Sequence, residues 1–591
     1  MKYVSFDIFD TCLIRKCGEA TNVFFLLGRK LFGVGTTEAE MFYHWRCQAE
    51  GMAEENVGTK YVSIQNIYDG IPAYIANKYS SSQMVQEELR IEASMLHVAP
   101  KTKHRIEQER QKGYKIVFIS DMYLPSKFLM NILERENIAE KDDLCFVSCE
   151  CKASKSTGSL YAYVERQLNA KPQCHYGDNV WSDIRMARKN GIRAKQIQSV
   201  YSRTEKCIID TFRHNRYFLY YSCLVGMMRY SRIINNDRTS SEISADFVAP
   251  IFTTYVLACL NKAKNEKLER LYFLARDGYI LLWIAKHFIK KYPSLDLRYL
   301  YVSRKSMYLP SLTSLKDDEI EKYFGDGLRY TSKEQVLKYF KQTLWDENVI
   351  LKEATEARKR IEAYFGKEDI YNENVKYALV DVGWKGSGRY AFNKLLHLKG
   401  CTEREMWYWG SFKDWRLKFE GKFWTYNTNL NLPLPFITLI EDFFSTSPDL
   451  STVDYNEEGE PLFDENSKID NAQILKMNKN CLAFFISFIN DYALDDIDIL
   501  DNLSHVCCDV LAEHPDMIDL QALSEMSCFS ENGNGGSFVH APQLMDVIKY
   551  MLGGHTFHGW VEGNIAYAYK PLFRPLSLTR HFFLWCKNKI R

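Results

Sequence analysis

Ser5-Phe6-Asp7-Ile8-Phe9-Asp10-Thr11 is a short apolar run broken by two carboxylates. With Tyr3 and Val4 ahead of it, the run reads as a buried strand that ends at Asp7. Three later segments have the same form. Residues 115–119 are mostly apolar and stop at Ser120-Asp121, and Cys145-Phe146-Val147 is a second run. Residues 173–176 lead into Gly177-Asp178-Asn179-Val180-Trp181-Ser182-Asp183. Helical patterns lie between them, at 160–168 and again through Met186 to Asn190-Gly191. Short strands that alternate with helices predict a Rossmann-like parallel α/β sheet. In such sheets the chemistry sits beyond the carboxyl ends of the strands. Asp7, Ser120 and Asp178 fall at those ends.

Outward from this block, residues 20–110 turn largely helical. Phe24, Leu27 and Leu31 share one face, as do Phe42 and Trp45. Residues 202–245 read as a helical connector. A second α/β domain is expected at 246–445. Its strands are 271–274, running into Ala275-Arg276-Asp277-Gly278; 298–302, ending at Ser303-Arg304-Lys305; and 377–380, ending at Asp381-Val382-Gly383-Trp384-Lys385-Gly386-Ser387-Gly388. Residues 446–591 are expected to be mostly helical. Within them 445–467 reads as a loop or small hairpin, and Asn532-Gly533-Asn534-Gly535-Gly536 as a flexible loop. No tandem repeat stands out.

The composition narrows the function. The 591 residues carry 76 Lys+Arg against 75 Asp+Glu, a net charge of +1. That balance excludes affinity for a polyanion through overall charge, and no nucleic-acid partner is expected. A hydrophobic fraction of 46% and a charged fraction of 26% suit a packed globular chain rather than a disordered one. Sixteen scattered cysteines read as reduced core residues. Cys145, Cys149 and Cys151, and likewise Cys507 and Cys508, lack the paired spacing of a zinc site. Two early carboxylates argue against a signal peptide. The best spanning candidate, 217–228, is shorter than the roughly 20 apolar residues a membrane needs. A cytoplasmic protein is expected.

The residue types at the strand ends suit phosphoryl chemistry. A carboxylate there can attack phosphorus and form an aspartyl phosphate, and Asp7 is placed for it. The transferring group spreads negative charge over its oxygens. Lys155, in Ser154-Lys155-Ser156-Thr157-Gly158, can supply positive charge, and the Thr11 and Ser120 hydroxyls can donate hydrogen bonds. A hard cation such as Mg²⁺ is usually held by one or two carboxylates. Asp7 and Asp178 suit it, with Asp183 orienting a ligand or a water. The bland alternative is that these polar strand ends merely cap helices.

The four segments, in this order, resemble the haloacid dehalogenase-like (HAD) hydrolase superfamily, over roughly the first third of the chain. The resemblance implies a HAD domain at 1–201 with a helical cap inserted at about 15–110. It also implies Mg²⁺ as cofactor, the Phe9 carbonyl as a further ligand, and a phosphorylated small molecule as substrate. One position departs. Phosphatases of the family carry a general acid/base Asp two residues after the nucleophile, where this chain has Phe9. Either Asp10 takes over, or the leaving group needs no proton, or the site binds phosphate without turnover. An aromatic residue there also resembles the family's dehalogenases. The Mg²⁺-type carboxylates Asp178 and Asp183 favour the phosphatases.

The second block offers another candidate site: Arg276, Asp277, Gly278, Asp381, Gly383, Gly386 and Ser387. Gly-rich turns before helices can bind phosphate through backbone N–H groups; equally, such glycines can serve turns and packing. The Asp381 segment is loosely similar to the diphosphate-sugar loop of phosphoribosyltransferases. That similarity makes a sugar or phosphoribosyl transferase the alternative function, and a binding protein with a degenerate HAD domain a third. The combination with Ala-Arg-Asp-Gly and Asp-Val-Gly-Trp resembles large bacterial HAD-type proteins found with surface-polysaccharide biosynthesis. Residues 569–591 mix Lys570, Arg574, Arg580 and Lys587 with Phe573, Phe582, Phe583 and Trp585. An interfacial helix has this mixture, as does a terminal helix docked on its own domain.

Overall fold

A computed structural model describes residues 2–197, 201–235, 240–324, 333–340, 343, 345–384, 386–411, 422–427, 439–465, 471–513, 539 and 541–551, with 564, 567 and 568. The expected loop at 532–536, Lys385 and the basic, aromatic segment 569–591 lie outside the described residues. By compactness the chain divides into two units, Met1–Asn236 with Ser487–Ile499, and Asp237–Ile486 with Leu500–Arg591. The segment read as a connector is thus divided between them. Its helices Arg203–Phe212 and Phe218–Asn235 belong to the first unit.

The fold class is α/β with parallel sheets. In the first unit β1 (Tyr3–Phe6), β4 (Lys115–Ser120), β5 (Leu144–Val147), β6 (Cys174–Gly177) and β7 (Arg193–Gln196) form one sheet. Its order is β5-β4-β1-β6-β7, and every pairing is parallel. A parallel strand covered on both faces is apolar on both, which is why β1 and β4 read as mostly hydrophobic runs without alternation. The chain leaves β1 toward β4 and leaves β6 toward β7. Those connections part over the β1/β6 pair, and the crevice that opens there is where such sheets bind ligands.

Between β1 and β4 the helices Asn22–Phe32, Thr37–Val57, Ile64–Asp69, Ala73–Ala76 and Ser81–Met95 form the insertion. An antiparallel pair, β2 (Leu13–Arg15) and β3 (Leu96–Val98), closes its base. The helix Pro100–Gln111 comes after that base and packs on β4, so the insertion is shorter than the expected 15–110. Two buried ion pairs stand inside it. Arg46 donates Nε and Nη2 to Glu88, both at 2.7 Å, and Arg15 meets Glu92 at 2.6–2.8 Å. Removing one member of such a pair costs about 3–5 kcal/mol, because the other charge is left buried. Hydrophobic periodicity could not show this, since Arg46 sits fully buried on the same helix as Phe42.

The second unit holds a second parallel sheet. Its strands are β8 (Arg270–Leu274), β9 (Asp296–Leu300), β10 (Tyr377–Trp384), β11 (Met406–Ser411) and β12 (Phe423–Asn427), in the order β12-β11-β10-β8-β9. The two last strands in sequence were not expected. Met406-Trp407-Tyr408-Trp409-Gly410-Ser411 is buried on both faces and carries no alternation to read. Here the chain leaves β8 toward β9 and β10 toward β11, so the connections part over β8/β10 as they do over β1/β6 in the first sheet. This similarity of plan left no trace as a sequence repeat. Gly383 lies within β10 at φ 138°, and a Cβ there would stand 2.0 Å from the Gly410 carbonyl oxygen. Glycine at this point serves close strand packing. The expected small hairpin is β13 (Ser451–Tyr455) with β14 (Pro461–Asp464). Helices Ala472–Asp491, Ile497–Glu513 and Leu544–Met551 follow.

One helix, Ser244–Asn265, is long and apolar enough to cross a membrane by length and composition. It is a different segment from 217–228, and 89% of its apolar window is buried within the protein, as in a core helix. Tyr255 on it donates to the carbonyls of Asp381 (2.8 Å) and Trp407 (3.0 Å), tying it to β10 and β11.

Candidate active site

Asp7 is the first residue past β1, and its N–H still donates to Tyr176 O of β6 at 2.8 Å. The sheet ladder therefore carries the carboxylate to the strand end with its backbone held. The chain then turns sharply. Cys12 and Leu13 N–H both donate to Ile8 O, and Asp10 occupies the left-handed region at φ 53°. This turn brings Thr11 back over the strand end. Its hydroxyl reaches Asp7 Oδ2 (3.4 Å) and Asp178 Oδ1 (3.3 Å).

Asp178 follows β6, the neighbour of β1, and Asp183 lies on the one-turn π-helix Val180–Arg185 that comes next. Asn179 caps that turn through its side-chain oxygen, which accepts from Trp181 and Ser182 N–H. Gly177 makes the approach of Asp183 feasible, because a Cβ there would stand 2.4 Å from Asp183 Oδ2. Single carboxylate oxygens of Asp7, Asp178 and Asp183 lie within 4.8 Å of one another. Lys155 closes the set. Its ammonium donates to Asp7 Oδ1 at 2.5 Å and to Asp183 Oδ1 at 2.7 Å, and its side chain is 4% exposed.

The remaining expected residues stand at the edges. Ser120 ends β4, buried, two places beyond the Phe118 that pairs with Phe6. Its hydroxyl makes no hydrogen bond among the described residues. The Phe9 ring lies against the Arg15 guanidinium, which stands 4.4 Å from its centroid, so this side chain makes a packing contact. Asp10 is half-buried and within electrostatic reach of Asp178.

Two contributors were missed in the sequence. Asp121 accepts from Lys155 N–H (2.7 Å) and Ser156 N–H (3.1 Å), so it clamps the loop that presents the lysine. Its place right after the strand-end serine was the available signal. His175 is fully buried on β6 and stands 3.4 Å from Asp183 Oδ1 through Nε2 and 2.9 Å from Ser5 Oγ through Nδ1. Burial pushes the imidazole below its usual range and keeps it neutral. The carboxylate neighbour assigns the single proton to Nε2, which leaves Nδ1 to accept from Ser5. A histidine inside a strand carries no sequence mark of this role.

Asp7 and Asp183 share one ammonium yet shift in opposite directions. Burial pushes Asp7 up to about 7, and repulsion from Asp183 and Asp178 adds to it against the pull of Lys155. Burial also opposes ionisation of Asp183. The His175 hydrogen bond and the Lys155 charge outweigh it and hold this carboxyl well below its usual range. The asymmetry has a cause in the donors, since Asp183 also accepts from Asn179 N–H at 3.0 Å and Asp7 has only Lys155 and a long Thr11 contact. With all three carboxyls ionised, they and the one ammonium sum to a net charge of −2. Hard oxygen donors with that deficit fit a divalent cation such as Mg²⁺. Among the described residues this is the only cluster of three or more acidic, histidine or cysteine ligands within that reach. Cys145, Cys149 and Cys151 do not converge as one, and the cysteines described are free.

In the second unit Asp277 precedes the helix Gly278–Phe288 and Asp381 lies inside β10, which runs on to Trp384 rather than ending at Asp381. Gly278 packs that helix on Phe273. Gly386, at φ 84°, caps the helix Ser387–Leu398, and the buried Ser387 hydroxyl accepts from Tyr308 OH at 2.6 Å. Arg276 follows Ala275 at the end of β8. Burial and the mutual repulsion of Asp277 and Asp381 raise Asp381 well above the carboxylate range, against the charge of Arg304. Burial raises Asp277 too, against Arg276 and Arg304.

No family model and no curated protein matches this chain. Solved structures similar to part of it are HAD-type hydrolases. A dehalogenase shares 16% identity over 34% of this chain and 85% of its own, with a TM-score of 0.24. A HAD phosphatase from Thermococcus onnurineus shares 18% over 34% and 86%, with a TM-score of 0.24. A HAD hydrolase of family IA, variant 3, from Entamoeba histolytica shares 11% over 36% and 90%, with a TM-score of 0.23.

Proposed function

We propose that the first unit is a HAD-like phosphohydrolase acting on a phosphorylated small molecule. The observation that carries the reading is the set of buried Asp7, Asp183 and Lys155 with half-buried Asp178 at the parting of the β1 and β6 connections. Asp7 attacks phosphorus through a carboxylate oxygen and displaces the leaving group, and a water molecule then cleaves the aspartyl phosphate, releasing phosphate and restoring the carboxylate. Lys155 orients that carboxylate and neutralises charge on the phosphoryl oxygens. Thr11 and Ser120 supply hydroxyl donors, and Asp121 holds the lysine loop. Asp7, Asp178 and Asp183 would hold Mg²⁺, which when bound offsets the repulsion between Asp7 and the anionic substrate. The helical insertion covers the site and limits water. Proton delivery falls to Asp10 or is dispensed with, since Phe9 cannot supply it.

A sugar phosphate or nucleotide sugar of cytoplasmic surface-polysaccharide synthesis is the finer reading, and it rests on the sequence resemblance. A panel of phosphomonoesters, sugar phosphates and nucleotide sugars tests it. Purified protein is expected to release phosphate from at least one of them with Mg²⁺ and not with excess EDTA. Release that ignores EDTA throughout would end the reading.

A second reading places a transferase site over β8/β10, favoured by the parting of connections there with Asp277 and Asp381 above it. Asp381→Asn is then expected to remove a sugar- or phosphoribosyl-transfer activity at least tenfold while sparing phosphate release. Transfer rates unchanged in Asp381→Asn would dismiss this site.

A further inference from the structure

A cavity of about 160 Å³ lies in the first unit, walled by helices Arg203–Phe212 and Phe218–Asn235 and by Gly18-Glu19. At roughly 30 Å³ per water, it has room for about five waters or one oxyanion with its hydration. None of Asp7, Lys155, Asp178 or Asp183 lines it. Arg229 does, and it is fully buried. Its Nη2 donates to the carbonyls of Arg15 and Gly18, both at 3.3 Å, and its guanidinium lies 4.1 Å over the Tyr201 ring. Among the described residues its Nη1 has no hydrogen-bond partner, and its Nε faces Glu205 Oε1 at 3.7 Å. A buried cationic donor left unmade is costly unless something accepts from it.

The acidic groups of the wall already have partners, and Glu205 Oε1 is shared with Arg229 itself. Glu205 accepts from Arg232 Nη2 and Ser202 N–H, both at 2.8 Å. Asp210 pairs with Arg213, and the exposed Glu19 accepts from Tyr201 OH. The unspent groups are donors. Ser222 Oγ accepts from Asn22 Nδ2 at 2.7 Å, which leaves its own proton for the cavity. Lys206 is exposed on the rim and makes no ion pair among the described residues.

We propose that this cavity is a binding site for a small oxyanion, a phosphate-, sulfate- or carboxylate-type group held by Arg229, Ser222 and Lys206. The site stands whether or not Asp7 is a nucleophile. Asp10 lies within electrostatic reach of both Arg229 and Asp178. The oxyanion is either a second anionic group of the substrate or a free anion.

The test is calorimetric titration of the full chain with sodium sulfate in EDTA. Wild type is expected to bind one sulfate per chain. Lys206→Glu, on the exposed rim, and Arg229→Lys are each expected to weaken it by about tenfold or more. Asp7→Asn is expected to bind as wild type does. Absence of saturable binding, an unchanged affinity in Lys206→Glu, or loss of binding in Asp7→Asn would each overturn the site. Phosphate-release kinetics on the best panel substrate separate the two sources. A raised KM at constant kcat in Lys206→Glu, with sulfate competing, marks a second group of the substrate. A change in kcat on adding sulfate, lost in Lys206→Glu, marks a free anion.

Discussion

Asp7→Asn is expected to lower Mg²⁺-dependent phosphate release by at least about 10³-fold, since removing a nucleophile ordinarily costs that much or more. The substitution is close to isosteric and keeps one oxygen to accept from Lys155, while the amide NH2 faces the Thr11 hydroxyl oxygen. What it removes is the anion that attacks. It should not unfold the protein. Lys155 keeps its 2.7 Å partner in Asp183, and the repulsion that Asp7 exerts on Asp183 and Asp178 disappears. The expected pattern is an unfolding midpoint at or slightly above that of wild type, with turnover near background. Initial phosphate-release rates on the best panel substrate, measured beside thermal unfolding, check both. Equal turnover in the two proteins would remove Asp7 from the mechanism.

Lys155→Met should cost both activity and stability. The methionine fills the same channel without charge and leaves three carboxylates facing one another with no cation. Breaking a buried ion pair from one side typically costs about 3–5 kcal/mol. Asp7 limits the loss by taking a proton, since burial already pushes it up to about 7 with the lysine present. The folded carboxyl then has a pKa above its unfolded value. The folded state binds a proton that the unfolded chain does not, and stability falls as pH rises through neutrality. Urea unfolding in EDTA is therefore expected to show a deficit that grows from pH 6 to pH 8. Mg²⁺ should restore more stability to Lys155→Met than it adds to wild type, because the bound cation replaces the missing charge. A variant as stable as wild type in EDTA at pH 8 would contradict the charge balance drawn for this site.

Both expectations depend on a grouping that was partly visible beforehand. The strand ends announced Asp7, Ser120 and Asp178, because an apolar run that stops at a carboxylate or hydroxyl can be read locally. Lys155 and Asp183 entered through their place in the motif order, and the structure brings them to Asp7. His175 could not be found that way, and Asp121 carried only its place right after the strand-end serine. Their roles come from partners 8 and 34 residues distant, which local reading does not reach. The same limit hid β11, whose aromatic residues are buried on both faces, and Arg46 and Arg229, charged residues inside helices that the hydrophobic period would assign to solvent.

By itself the sequence determined the strand-and-helix alternation, and with it the α/β class and the carboxylates at the ends of β1 and β6. Local hydrophobicity and turn chemistry are enough for that, since each element's period is written in a handful of neighbouring residues. Only the tertiary structure decided which strands lie side by side, where their connections part, and which buried charges meet. Those outcomes depend on pairings between residues far apart in the chain, such as Asn22 with Ser222 at 200 positions and Arg29 with Ala493 at 464, whose energy exists only once the chain has closed on itself.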